Sequence, residues 1–291
     1  MGDGKFKLKN FMELFQNRKL IIATMHGKEA VIAPLMTNAF GVDCITPDTF
    51  NTDALGTFTG EIERTLTPLE TLRKKCLEAM KLHNMDLGIA NEGSFGAHPA
   101  LFFVPADEEL MILIDQKNDL EIVVKHISTK TNFSGKLIKS VEELKDFANG
   151  AGFPEHALII RKEQSSSEAI YKNIQDWDSL QHIFQQMLNN FGGAFVETDM
   201  RAMNNPTRMQ VIKEATEKLI AKIQSTCPQC DCPGFDIKEF KEGLPCEWCN
   251  RPTKSILSVI YRCNKCEFQK KEWYPKQKEK EDPQYCQYCN P

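Results

Sequence analysis

The chain has 291 residues, 41% hydrophobic and 26% charged, with 36 basic against 40 acidic side chains and a net charge of -4. That length exceeds one ordinary core and suits a main domain plus something smaller. The total carries no basic surplus, which excludes a chain-wide electrostatic footprint for nucleic acid and leaves room only for a local one.

The opening run M-G-D-G-K-F-K-L-K-N lacks the apolar stretch of a secretory signal. The longest apolar stretches, such as Leu20 to Ala23, are far short of a membrane span. Nine of the 11 cysteines follow residue 226, and eight of those form four C-x-x-C pairs. Such clustering points to zinc in a reducing compartment rather than to disulfides spread through a fold. The chain therefore reads as cytoplasmic, with no membrane contact.

In chain order, Lys19 to Thr24 (K-L-I-I-A-T) is an Ile-rich apolar run bounded by polar residues, a buried strand. Lys28 to Phe40 has a helical apolar period, closed by Gly41 as a C-cap, with Pro34 inside it. Val42 to Thr46 is the next strand, completing a βαβ unit with parallel pairing. A loop with Gly56 and Gly60 follows. Thr67 to Leu82 is a helix that opens with a capping box, Thr67 with Glu70, and has Pro68 at its first position.

Met85 to Ala90 is a buried strand ending at Asn91-Glu92-Gly93-Ser94. Leu101 to Lys125 alternates as a hairpin around Lys117-Asn118-Asp119. Helices are expected at 141–148, 177–188 and 206–223, and strands at 157–161 and 194–197. The fold class is α/β: a mixed twisted sheet flanked by helices over residues 1–224, then a small C-terminal zinc-ribbon domain over 225–291.

Three constellations carry chemistry. Thr24, His26 and Lys28 follow the first strand at a helix N-terminus, where α/β proteins bind anionic ligands. Asp53, Glu61 and Glu63 lie in the glycine-containing loop, and with Glu92 after the next buried strand they form a candidate Mg²⁺ or Mn²⁺ site. Glu70, Arg73, Lys74 and Lys75 share the helix between them, where surface ion pairs explain the first three equally well.

In the second half, a strand runs into E-T-D-M-R-A-M-N-N-P-T-R. It sets Glu197, Asp199 and Arg201 at a strand end and Arg208 at the next helix start, and arginines there suit phosphate. Asn205 as N-cap with Pro206 behind it is the plain structural alternative.

The segments A-T-M-H-G-K (Ala23 to Lys28), E-T-L-R-K-K-C (Glu70 to Cys76) and N-E-G-S-F-G-A-H-P (Asn91 to Pro99) resemble the non-canonical purine nucleoside triphosphate pyrophosphatases. The resemblance implies a lysine that grips the triphosphate and an acid that binds metal, and it maps these onto Lys28 and Glu92. His26 and Thr71 stand where that family has asparagine, and Glu92 alone represents its acidic pair. Over nearly the full length the chain is also similar to an uncharacterised, mainly bacterial family. The shared motifs are A-T-M-H-x-K-E, D-x-L-G-T-F-x-G-E-x-x-R, E-G-S-F-G, E-T-D-M-R-A-x-x-N-P-T-R and the four C-x-x-C pairs. That likeness implies no activity.

In the tail, Cys227/Cys230, Cys246/Cys249, Cys263/Cys266 and Cys286/Cys289 can close two Cys₄ tetrahedra, with sequential, nested and cross-braced pairings all open. Four thiolates leave no position for water, so two structural Zn²⁺ ions are expected. Cys232 is the odd thiol. The lysines near Trp273 and Tyr274 suit nucleic acid or a protein, and adjacent glutamates tilt the balance to a protein.

The leading expectation is a metal-dependent hydrolase of a nucleotide or related phosphorylated small molecule. Lys28, Lys75 and Arg208 would hold phosphate, with Thr24, His26, Asp199 and Arg201 lining the ligand. Glu61, Glu70 and Glu92 would hold Mg²⁺ or Mn²⁺ or position water, with Asp53, Glu197 and Asp199 as second candidates. The rival is a non-enzymatic nucleotide- or anion-sensing module whose ribbons bind nucleic acid or a protein.

Overall fold

The computed structural model describes residues 14–47, 66–164, 166 and 168–290. The chain divides into two compact units, Phe15–Leu219 and a second that contains Ile220–Pro291.

The first unit begins with β1 (Lys19–Ala23), α1 (Glu29–Phe40), β2 (Asp43–Ile45), α2 (Pro68–Leu82), β3 (Leu87–Ala97), β4 (Pro105–Asp115) and β5 (Leu120–Ser128). Its sheet has the order β2-β1-β3-β4-β5. β1 pairs in parallel with both β2 and β3, and the β3-β4 and β4-β5 pairs are antiparallel. This is the mixed sheet expected from the sequence. Leu20 to Ala23 are fully buried, as a central strand covered on both faces requires.

The local signals act as read. Gly41 closes α1 in the left-handed region (φ 64), and Thr67 with Glu70 forms the capping box of α2. From β1 the chain steps outward to β2, then back across β1 to β3. Right-handed crossovers therefore put α1 and α2 on opposite faces. α2 packs Leu72, Cys76, Ala79 and Met80 against Ile21, Ala23, Ala90, Ile112 and Ile114.

Two expectations are corrected. β3 does not stop at Ala90 but runs through N-E-G-S-F-G-A, paired with β4 as far as Ala97 opposite Pro105. The polar motif reads as a loop, yet an equally long β4 satisfies its backbone. Leu101 to Val104, expected to start a strand, forms the intervening turn, with Val104 N donating to Leu101 O and His98 N to Val104 O.

Next come β6 (Gly135–Ile138), α3 (Val141–Ala151), β7 (Leu158–Arg161), β8 (Tyr171–Ile174), α4 (Trp177–Phe191) and β9 (Ala194–Thr198). They build a sheet of order β6-β9-β7-β8. α3 and α4 bury Leu144, Ala148, Leu180, Phe184 and Met187 against Leu158, Ile160 and Val196. β6 and β8 escape the sequence reading because each is short and shows only one buried side chain.

α5 (Pro206–Gln224) returns to the first sheet. Asn205 accepts from Arg208 N at 3.0 Å, the expected N-cap bond. Further along, Glu214 meets His126 of β5, and Thr216 Oγ1 lies 3.6 Å from Met111 Sδ of β4.

The second unit carries β10 (Asp236–Glu242), β11 (Ile256–Arg262) and β12 (Gln269–Trp273) in one antiparallel sheet of that order. Phe235 stacks on Tyr261 and packs on Phe268. The division between the two units falls within the C-terminal part of α5.

Candidate anion site and the paired cysteine clusters

β1 ends beside the middle of β3, with Ala23 opposite Ala90. Beyond β1 the chain turns through His26 (φ 73) and Gly27 (φ 77) into α1. Two consecutive left-handed residues make this turn tight, and glycine takes the second without strain. The turn presents Lys28 as the N-cap of α1, where the helix dipole favours negative charge. Lys28 is buried, and its Nζ donates to the Asn91 carbonyl at 3.3 Å.

Two further buried cations lie near it, each with its own carboxylate. Lys75 of α2 pairs with Glu92 of β3 at 2.7 Å, and Arg208 of α5 pairs with Glu109 of β4 at 2.8 Å. Asn91 Nδ2 also donates to Glu109 at 2.8 Å, and Arg208 donates to the Met200 carbonyl. The Arg208 guanidinium lies 4.9 Å from the Phe95 ring centre.

Gly93 makes the Arg208 arrangement possible. A Cβ there would lie 2.3 Å from an Arg208 nitrogen and 2.8 Å from Glu109 Oε1. The glycine of E-G-S-F-G thus clears room for an ion pair.

Lys28 differs from these cations, because among the described residues no carboxylate pairs with it. Burial lowers its ammonium to about 7, and nearby Arg208 adds to the effect. Burial would raise the Glu109 carboxyl, but Arg208 and Lys28 hold it below its ordinary value.

Asp107 completes the cluster, two residues before Glu109 on the same face of β4. It is fully buried, and neither carboxylate oxygen receives a hydrogen bond. Burial, then the adjacent Glu109, raises its carboxyl to about 8. It therefore holds a proton at neutral pH, and the protonated acid can donate to Glu109.

A pH dependence follows. A folded value of about 8 against an ordinary 3.8 means that the native state binds more protons than the unfolded chain between those limits. Stability is lost as pH rises through that window, by at most about 1.4 kcal/mol per pH unit. Asp107→Asn cannot ionise. Its melting temperature relative to the parent is expected to rise from pH 5 to pH 8. A difference that stays flat across that range, in thermal unfolding, would mean that Asp107 is ionised throughout.

Of the residues expected in the site, the fold gathers Lys28, Lys75, Glu92 and Arg208, with Thr24 and His26 on the β1-α1 turn. Thr24 Oγ1 donates to the Met25 carbonyl. Asp199 is fully buried and bound to Arg201 at 2.5 Å, with Asn204 Nδ2 donating to it at 2.8 Å, so these residues shape the turn before α5. Glu197 pairs with Arg161 at 2.5 Å. Glu70 accepts from Thr67 N and Thr67 Oγ1 in the exposed cap of α2. Asp53, Glu61 and Glu63 lie outside the described residues.

Among the described residues the carboxylates do not assemble a site for Mg²⁺ or Mn²⁺. The only groups of three or more potential ligands there are two sets of cysteines. Glu92 and Glu109 are each engaged by a cation. Asn91, Asp107 and Glu109 were not singled out from the sequence.

The cysteine sets are Cys227, Cys230, Cys263 and Cys266, and Cys246, Cys249, Cys286 and Cys289. The first pair joins the third and the second joins the fourth, a cross-brace. The sheet dictates this pairing. β10 starts opposite the end of β11, and β12 ends opposite the start of β11. Pairs one and three therefore meet at one end of the sheet, and pairs two and four at the other.

Sγ–Sγ separations across the pairs run from 3.6 Å for Cys227–Cys266 to 3.9 Å for Cys246–Cys289. A tetrahedral zinc with bonds of about 2.3 Å sets its sulfurs about 3.8 Å apart. The donors thus fit zinc in chemistry and spacing. Backbone amides of Lys265 and Cys266 donate to Cys263 Sγ. Asp231, Asn250 and Glu267, each just after the second cysteine of a pair, take positive φ and turn the chain away. Cys232 belongs to neither set. It is buried beside Pro233 O, and burial raises its thiol to about 11.

Fold and site together define an α/β domain with a buried charge cluster at a strand switch point, followed by a unit with two Cys₄ groups that can hold metal ions such as zinc. The family model described as Domain of unknown function (DUF6671) matches residues 75–291, and the chain belongs to that family. A search of the curated proteins returns no match. No helix among the described residues is long and apolar enough to cross a membrane.

Proposed function

We propose that the α/β unit binds a nucleotide or a related phosphorylated small molecule at the carboxyl end of β1, beside the middle of β3, with Lys28 as its anion-binding cation. One observation carries this reading: among the described residues Lys28 is a buried cation without a carboxylate partner, near two others that each have one. A fold gains nothing from burying an unpaired ammonium. An incoming phosphate supplies the missing charge, and the amides at the start of α1 extend the contact.

Binding is followed either by hydrolysis or by none. The metal-dependent hydrolase form requires acids from outside the described residues, Asp53 and Glu61, because Glu92 is already engaged by Lys75. The engagement of Glu92 by Lys75 and of Glu109 by Arg208 favours the sensing form. For the second unit we infer two structural zinc ions and a protein contact in preference to nucleic acid. Trp248, Tyr285 and Tyr288 are exposed there, and basic and acidic side chains are nearly balanced.

The test uses purified, zinc-loaded protein, equilibrium binding to common and modified nucleotides, and phosphate and pyrophosphate release with Mg²⁺. Lys28→Met is expected to weaken binding at least about ten-fold while keeping or raising the melting temperature, because an apolar isostere replaces a buried unpaired charge. Release that disappears in Asp53→Asn or Glu61→Gln, with nucleotide binding retained, would establish the hydrolase form. No binding to any nucleotide would refute the proposal.

A further inference from the structure

Two sequence motifs far apart in the chain meet beside Lys28. A-T-M-H-G-K supplies the β1-α1 turn, and E-T-D-M-R-A-M-N-N-P-T-R supplies a short helical turn, Ala202–Asn204. A Cβ built on Gly27 would lie 3.5 Å from Met203 Cβ and 3.9 Å from Met203 Cα. The two turns therefore touch at the residue that precedes Lys28.

The second turn is firmly held. Asn204 N donates to the Arg201 carbonyl, Asn205 N to that of Ala202, and Ala157 N to that of Asn204. Asn204 Nδ2 donates to Asp199, and Arg208 donates to the Met200 carbonyl. Ala202 and Asn204 are buried, whereas Met203 between them is 58% exposed. A single exposed methionine is ordinary on a protein surface. Its contact with the turn that leads into Lys28 marks this one.

Methionine suits a flat ligand group. Its side chain is unbranched and adaptable, and its polarizable sulfur makes favourable contacts with aromatic rings. A phosphate at Lys28 brings the rest of its molecule near this contact, because Lys28 follows Gly27 directly.

We infer, resting on Lys28 as the anion-binding residue, that the ligand carries a purine or pyrimidine base that lies against Met203. The site thus selects nucleotides over sugar phosphates and inorganic phosphate. Lys28 supplies the charge, and Met203 supplies an apolar face that a sugar phosphate has no ring to use. A thioether tells a base from no base, but it does not read the base edge by hydrogen bonds.

The test uses the full zinc-loaded chain and calorimetry with the four common nucleoside 5′-monophosphates, ribose 5-phosphate and inorganic phosphate. The nucleotides and ribose 5-phosphate present the same phosphate monoester, so their affinity ratio at one pH is blind to the protonation of Lys28. A second readout is NMR of protein carrying ¹³C at methionine methyls, with the Met203 signal assigned through Met203→Leu.

At least one nucleotide is expected to bind about ten-fold more tightly than ribose 5-phosphate, the upper range of a thioether–ring contact. Met203→Ser changes an exposed side chain and should fold as the parent does. It should lose most of that advantage while its affinity for ribose 5-phosphate stays the same. The Met203 methyl should move upfield with the nucleotide, under the ring current of the base, and stay in place with ribose 5-phosphate. Equal affinity for nucleotides and ribose 5-phosphate overturns the base contact and leaves the anion site standing. So does a nucleotide preference that survives Met203→Ser with the methyl signal unmoved. Binding of none of these compounds overturns both.

Discussion

Replacing Cys263 with serine is expected to remove one of two bound zinc ions and open that end of the cysteine-rich unit. The purified protein should contain two zinc ions per chain by elemental analysis, one for each cysteine set. Structural zinc contributes roughly 10–16 kcal/mol of apparent binding energy in small domains, more than such a unit has in net stability. Three strands with exposed edges and few buried side chains make a small core.

Cys263 and Cys286 belong to different cross-braced sets. Cys263→Ser and Cys286→Ser should therefore each lose one ion, and the double variant both. Cys232→Ser should keep both ions, since that thiol lies outside the sets. A Cys263→Ser protein that retains two zincs, or a Cys232→Ser protein that loses one, would contradict the assignment of ligands.

The second large effect is expected at Arg208. Arg208→Met leaves Glu109 fully buried without its cation, and breaking a buried pair from one side costs about 3–5 kcal/mol. In a unit of this size that lowers the melting temperature by roughly 10 °C. Arg208→Met with Glu109→Gln should recover most of the loss, because no buried charge is left unmatched.

The pH dependence has a definite sign. Glu109 is held below its ordinary value of 4.5 in the fold, so its pair contributes stability above that value and loses it as pH falls. The deficit of Arg208→Met should therefore be largest near pH 7 and shrink towards pH 4. Gly93→Ala should reproduce part of the defect, since its Cβ would occupy the space of the guanidinium. A deficit below about 1 kcal/mol in denaturant unfolding at pH 7 would indicate a solvent-screened pair.

The strongest periodic and capping signals were legible in the sequence. K-L-I-I-A, the Gly41 cap, the Thr67–Glu70 box and the Asn205-Pro206 start describe local preferences that the fold leaves in place. Lys28 was legible too, because strand, turn and lysine suffice to locate it.

Asp107 and Glu109 were hidden by the acidic look of P-A-D-E-E-L. Their spacing nevertheless puts them in phase with buried Met111 and Leu113, while Glu108 points the other way. That phase is the signal that marks them as buried acids. The E-G-S-F-G segment looked like a loop because glycine and polar residues depress strand propensity, and only its pairing with β4 overrides that. The cross-brace could not be read from cysteine spacing alone, since it depends on strand order.

The most direct test of the anion site is the titration of Lys28 itself. NMR of protein carrying ¹³C at lysine Cε, with the Lys28 signal assigned through Lys28→Arg, follows that ammonium alone. The expected midpoint in the free protein is near 7, against the ordinary 10.5, and it should move upwards when a bound nucleotide supplies the missing negative charge. A midpoint near 10.5 that does not move when nucleotide is added would show a lysine already paired or solvated, and the site would lose its defining residue.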